Sequence, residues 1–182
     1  MKIAICTGHH NEAKGAVNRK HNLNEHDEAM IVVGHLIDKL RDAGHSVSVF
    51  NGKLRAKINN INAGAFDLAL DIHFNAGGGH GCEVVYVPHS TTRHEQAAVM
   101  SESISQFMGL RNRGAKEGYW MGGDNPGTKP DAFVSQTNCP AFIPEPLFID
   151  NDAEVEKWFV AGRHDQIAEA IAIGIADAFG SV

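Results

Sequence analysis

A chain of 182 residues with 43% apolar and 21% charged residues has the composition of one folded domain with a real core. Its formal charge of −6 and its dispersed Lys and Arg residues exclude the basic stripe of a nucleic-acid binder. No apolar run reaches the roughly eighteen residues of a membrane span, and Met1–Cys6 leaves no room for a leader's apolar region before the first motif.

In chain order, Ile3–Cys6 reads as a buried strand, followed by a polar loop to Asn24. Glu25–Ala43 predicts a helix, since Met30, Val33, Leu36, Ile37 and Leu40 recur at three- and four-residue steps and Gly44 stops it. Val47–Phe50 is a second strand. Leu54–Ala63 has helical spacing, and Leu68–Ile72 is a third strand. Cys82–Val87 is a fourth, and Ser90 is placed to cap a helix over 91–110. Asn112–Asn138 is the least regular stretch and reads as a long functional loop. Ala141–Glu145 is a short strand broken by Pro144 and Pro146, and Asp152 opens a last helix running to about Phe179. Alternation of strands and helices predicts an α/β fold over residues 1–182. Its mostly parallel, twisted sheet of five or six strands has helices on both faces, with no linker to a second domain. Cys6, Cys82 and Cys139 are odd in number and share no short metal-binding spacing. They read as reduced, buried thiols of a chain made in a reducing compartment, the cytoplasm, without a signal peptide.

Chemistry in such sheets collects at the carboxyl ends of the strands and the amino ends of the helices that follow. That rim collects Gly8-His9 from the first strand, Glu25 from the first long helix, His73 from the third strand and Glu145 from the fifth. Two histidines and a carboxylate make a common catalytic zinc triad. His10 competes with His9 for that role. Glu25 has the alternative of a first-turn acid favoured by the helix dipole. Glu145 sits within Phe142–Phe148, where an unpaired carboxylate is costly, so a general base that later acts as acid is the better reading. Asn75, just past the strand end, is a candidate for binding substrate or fixing His73, with a plain turn-forming role as the alternative. Trp120, in the glycine-rich stretch, is a candidate for stacking on sugar or peptide, the alternative being a plug that holds its loop on the domain.

Seven blocks taken together resemble a known family: Thr7-Gly8-His9, Gly15-Ala16-Val17, Asn24-Glu25, Asp71–Ala76, Gly81–Tyr86, Asn112–Lys116 and Cys139–Asn151. The family is the zinc-dependent N-acetylmuramoyl-L-alanine amidases, bacteriophage endolysins included. The resemblance covers nearly the whole chain. It implies one zinc ion held by His9, Glu25 and His73, with Glu145 as the catalytic carboxylate. It also implies peptidoglycan as substrate, cut between N-acetylmuramic acid and the L-alanine of the stem peptide. The chain departs from the family at His10, where a small residue is common, and at Pro144 and Pro146, which flank the catalytic carboxylate. Two other readings stand beside the amidase: a zinc peptidase cutting within the stem peptide, and a non-catalytic wall-binding module. The expected partner is the wall alone, without nucleic acid or membrane insertion, and the expected state is a monomer. No separate wall-binding domain is expected. The setting that fits is a phage endolysin reaching the wall after release, or the catalytic part of a longer protein.

Overall fold

The first strand shows how the sequence builds two faces. The computed structural model describes residues 1–119 and 126–180. In it β1 spans Lys2–Thr7, and side chains alternate across it. Ile3 and Ile5 join one core cluster, whereas the smaller Ala4 and Cys6 join the other. A two-stranded hairpin follows, β2 (Val17–Asn18) with β3 (Leu23–Asn24). Helix α1 (Glu25–Asp42) starts where the Asn24 side chain accepts from the Asp27 N–H at 3.0 Å. Strand β4 (Ser46–Phe50), helix α2 (Leu54–Asn62) and strand β5 (Leu68–Ile72) complete the first half. Every residue of β5 is buried, which explains a run that is apolar at all positions but Asp71: the strand is covered on both faces.

Strand β6 (Cys82–Tyr86) leads to α3 (Thr91–Met108), capped by Ser90 and ended by Gly109 in the left-handed region (φ 59°). Then come β7 (Asn112–Glu117), the short α4 (Ala132–Gln136) and β8 (Ala141–Glu145). After β8 the chain forms α5 (Asp152–Val155), a π-helical turn (Glu156–Val160) and α6 (His164–Phe179). The six-stranded sheet has the order β4-β1-β5-β8-β6-β7. All neighbours are parallel except β6 and β8, which run antiparallel with Glu83 opposite Glu145. The start of β6 therefore reaches the same rim as the end of β8. Helices α1, α3 and α6 cover one face over the larger core cluster. Helices α2 and α4 cover the other.

Two local expectations are corrected. The stretch 112–138 is not a plain loop, because it holds β7 and α4. Strand β7 carries no apolar alternation, since it is an edge strand of sequence NRGAKE, with a register shift opposite Cys82/Glu83 and Gly114 at φ 79°. The predicted helix from Asp152 to Phe179 is also interrupted. Gly162 (φ 69°) turns the chain, and the Arg163 N–H closes back onto the Trp158 carbonyl at 2.8 Å. Helical spacing cannot reveal this break, because buried residues lie on both sides of it: Val155, Trp158 and Phe159 before, Ile167, Ala168 and Ile171 after.

Candidate active site

Glu25 is the centre of the first cluster. It is the first residue of α1 and only 3% exposed. Its Oε1 accepts from the Phe74 N–H at 3.1 Å and meets His73 Nδ1 at 2.8 Å. Its Oε2 accepts from the Ala16 N–H at 3.0 Å and meets His9 Nε2 at 2.9 Å. The donor atoms of His9, Glu25 and His73 all lie within 4.8 Å of one another. The backbone comes in close to allow this. At Gly15 (φ 78°) a Cβ would stand 2.3 Å from His9 Cδ2 and 2.5 Å from Glu25 Oε2. His9 itself is in the left-handed region at φ 61°, which is uncommon for a residue with a side chain.

Electrostatics bind this cluster tightly. Burial favours the neutral acid of Glu25, but hydrogen bonds and charge from His73 and His9 win and hold the carboxyl well below the usual carboxylate range. Burial would lower the proton affinity of His73, yet Asp71 and Glu25 raise its pKa to about 10. Two imidazoles and a carboxylate thus converge at one point, a donor set suited to zinc. Beneath His73 lies a buried ion pair. Lys57 Nζ reaches the Asp71 carboxylate at 2.7 and 3.0 Å and donates to the Thr7 carbonyl at 2.9 Å. Asp71 Oδ2 stands 3.5 Å from His73 Nε2. The ring therefore turns one nitrogen to Asp71 and the other to Glu25.

The second cluster forms where the sheet reverses direction. Glu145 ends β8 beside Glu83 of β6. Glu83 Oε1 accepts from Asn75 Nδ2 at 2.7 Å and Oε2 from Arg113 Nε at 2.5 Å. Burial pushes the Glu145 carboxyl up to about 7; charge on His73 opposes this, and Glu83 and Glu25 add to the rise. Pro144 removes one donor from a central strand, but its carbonyl still accepts from the His73 N–H at 3.1 Å. That bond ties the histidine corner to the strand of Glu145.

Both clusters open into one cavity of about 820 Å³, which His9, His73, Asn75, Glu83, Arg113 and Glu145 help to line. A smaller hollow of about 430 Å³ lies at the opposite rim; its carboxylate, Asp67, already accepts from the Lys2 N–H at 2.6 Å. Its other titratable group, the Cys139 thiol, is pushed up by burial, and no histidine lines it, so the larger cavity is the candidate site. The structure thus brings together His9, Glu25, His73 and Glu145. His10 lines the cavity but is absent from the three-residue cluster, and its backbone pairs with Ala13. Asn75 faces Glu83 rather than His73. Trp120 lies outside the described residues. Sequence reasoning missed Lys57, Asp71, Glu83 and Arg113. Asp71 carried the same signal as Glu145, an acid inside an apolar run, whereas Glu83 and Arg113 gave none beyond their place in the resembling blocks.

Residues 3–177 match the N-acetylmuramoyl-L-alanine amidase family. The chain belongs to that family. Among curated proteins it is 29% identical to N-acetylmuramoyl-L-alanine amidase CwlM of Bacillus licheniformis over 189 residues, spanning 98% of this chain and 69% of that one. Among solved structures, the catalytic domain of the CD27L endolysin targeting Clostridia difficile superposes with a TM-score of 0.79 at 27% identity, covering 96% of each chain. The catalytic domain of CwlV from Bacillus (Paenibacillus) polymyxa var. colistinus shares the fold at a TM-score of 0.83 and 20% identity, covering 100% of both chains. For this amidase-family chain, the likeness agrees with the six-stranded sheet and its flanking helices.

Proposed function

We propose that the chain is a zinc-dependent peptidoglycan amidase that hydrolyses the bond between N-acetylmuramic acid and the L-alanine of the stem peptide. One observation carries this reading: a two-histidine, one-carboxylate cluster and a carboxyl raised to about 7 share a cavity in a member of this family. His9, Glu25 and His73 would hold the ion, and their donor chemistry fits it. When bound, zinc supplies positive charge that acidifies water and polarises the amide carbonyl. Glu145 takes the proton of the attacking water and returns it to the departing L-alanine amine. A carboxyl poised near neutrality can do both, because neither proton state is strongly disfavoured. Asn75 and Arg113 both donate to Glu83, whereas Glu145 is the carboxyl that burial raises to about 7. The products are a muramoyl acid in the glycan and a free peptide beginning with L-alanine.

Product mass spectrometry of digested peptidoglycan tests the reading, together with elemental analysis of protein purified without added metal. Free peptides beginning at L-alanine and bound zinc are expected. Fragments cut within the stem peptide would replace the amidase by a peptidase, and binding without soluble fragments would leave a wall-binding module. Among the described residues no helix is long and apolar enough to cross a membrane. Action on the cell wall therefore needs no span within this domain.

A further inference from the structure

Lys57, Arg113 and Lys116 all line the cavity, and the hydrolysis gives Arg113 no role beyond its contact with Glu83. Arg113 of β7 is anchored at two points: its Nε donates to Glu83 at 2.5 Å, and its guanidinium lies 4.8 Å over the Phe148 ring. Its side chain remains 28% exposed and lines the cavity. Among the described residues none accepts from either terminal amino group, so within them the anchored fork has no acceptor. Lys57, also on the cavity wall, spends its ammonium on Asp71 and Thr7. Lys116 lines the cavity as well, but among the described residues no hydrogen bond or ion pair holds its ammonium. Acids crowd the same wall: Asp71, Glu83, Glu117, Asp131 and Glu145. A substrate carboxylate can settle there only against a local cation.

We propose that Arg113 is a specificity-determining subsite for a carboxylate on the stem-peptide residue that follows L-alanine. The proposal rests on the amidase reading, which places the scissile amide at Glu145. Arg113 is separated from Glu145 by one carboxylate, Glu83. A peptide advances roughly 3.3–3.6 Å per residue, so the residue after L-alanine falls within reach of a group one side chain away. The fork accepts a carboxylate through two parallel N–H···O bonds, whereas a carboxamide at the same position brings no charge and donors of its own. The enzyme would therefore favour walls in which the α-carboxyl of the second residue is free over walls in which it is amidated.

The test uses the full chain and two soluble substrates, N-acetylmuramoyl-L-alanyl-D-glutamate and its α-amide. The wild type is expected to favour the free acid about ten- to a hundredfold in kcat/KM, mostly through KM, the range of a charge-assisted hydrogen bond. Arg113→Gln should slow both substrates, because Glu83 loses a partner, and should bring their ratio close to one. Arg113→Lys should keep part of the preference, because charge survives without the fork. Equal cleavage of the two by the wild type would overturn the subsite alone, as would a preference that survives in Arg113→Gln. Loss of the preference in Lys116→Gln instead would move the subsite to that lysine and overturn the assignment. Cleavage of neither substrate by the wild type would remove the amidase reading and the subsite with it.

Discussion

The two halves of the site rim handle buried charge in opposite ways. On the parallel half, every charge has a partner: Lys57 with Asp71, Asp71 with His73, and His73 and His9 with Glu25. On the reversed half, two carboxylates meet, and among the described residues only Glu83 has cationic and amide donors. The first arrangement fixes atoms in place, as a metal site requires. The second leaves Glu145 with a carboxyl that burial raises to about 7, as a general acid–base group requires. The antiparallel β6–β8 pair makes this possible, because it brings the start of one strand beside the end of the other.

The sharpest way to break the comparison is to remove one group from each half. His73→Ala should abolish both zinc binding and wall lysis, with bound zinc falling to background by elemental analysis. Glu145→Gln should keep the zinc and lower turnover by about 10²–10⁴, the usual weight of a positioned acid–base group. Near-native turnover in the Glu145 variant would move the proton transfer elsewhere. Loss of zinc in that variant would mean that the two halves are not separable.

Much of this is legible in the sequence, and the exceptions have physical causes. Strand β5 announces itself as an apolar run, and α1 by its spacing, so the positions of His73 and Glu25 follow from topology. The choice between His9 and His10 does not, since both follow Gly8 and lie in the same loop. It takes the left-handed turn at His9 and the close approach of Gly15 to aim one imidazole at Glu25. The reversal of β6 is equally hidden, because an antiparallel strand of this composition reads like a parallel one. Without it, Glu83 has no reason to be placed beside Glu145. Lys57 is concealed by its helix: a lysine on α2 looks solvent-facing until the fold puts it 2% exposed against Asp71.

That pair yields the next effect in size. Lys57→Met would leave Asp71 charged and buried with only His73, 3.5 Å away, to offset it, at a cost of up to about 3–5 kcal/mol in unfolding free energy. Adding Asp71→Asn should recover most of this loss, since the uncompensated charge is gone. Zinc affinity should behave differently. With Asp71 removed, His73 loses the carboxylate behind its Nε2, and affinity should fall about ten- to a hundredfold by chelator competition even in the stable double variant. Full recovery of affinity along with stability would make the pair a packing feature with no bearing on the metal half.

The smallest effect belongs to the reversed half and appears in the pH dependence of stability. In metal-free protein the folded state raises the Glu145 carboxyl from 4.5 to about 7, so folding disfavours its ionised form. The stabilising contribution of the proton is complete below the unfolded value and is lost as pH rises through about 7. At 1.36 kcal/mol per unit, the ionised carboxyl costs the fold at most about 3 kcal/mol. Glu145→Gln removes that penalty while keeping the shape, and its amide can donate to Glu83. The variant should therefore unfold at higher denaturant than the wild type at pH 8, and the gap should close by pH 4. A gap of constant size across that range would mean that Glu145 is not the group holding the proton, and a gap that widens toward acid would reverse the roles of Glu145 and Glu83.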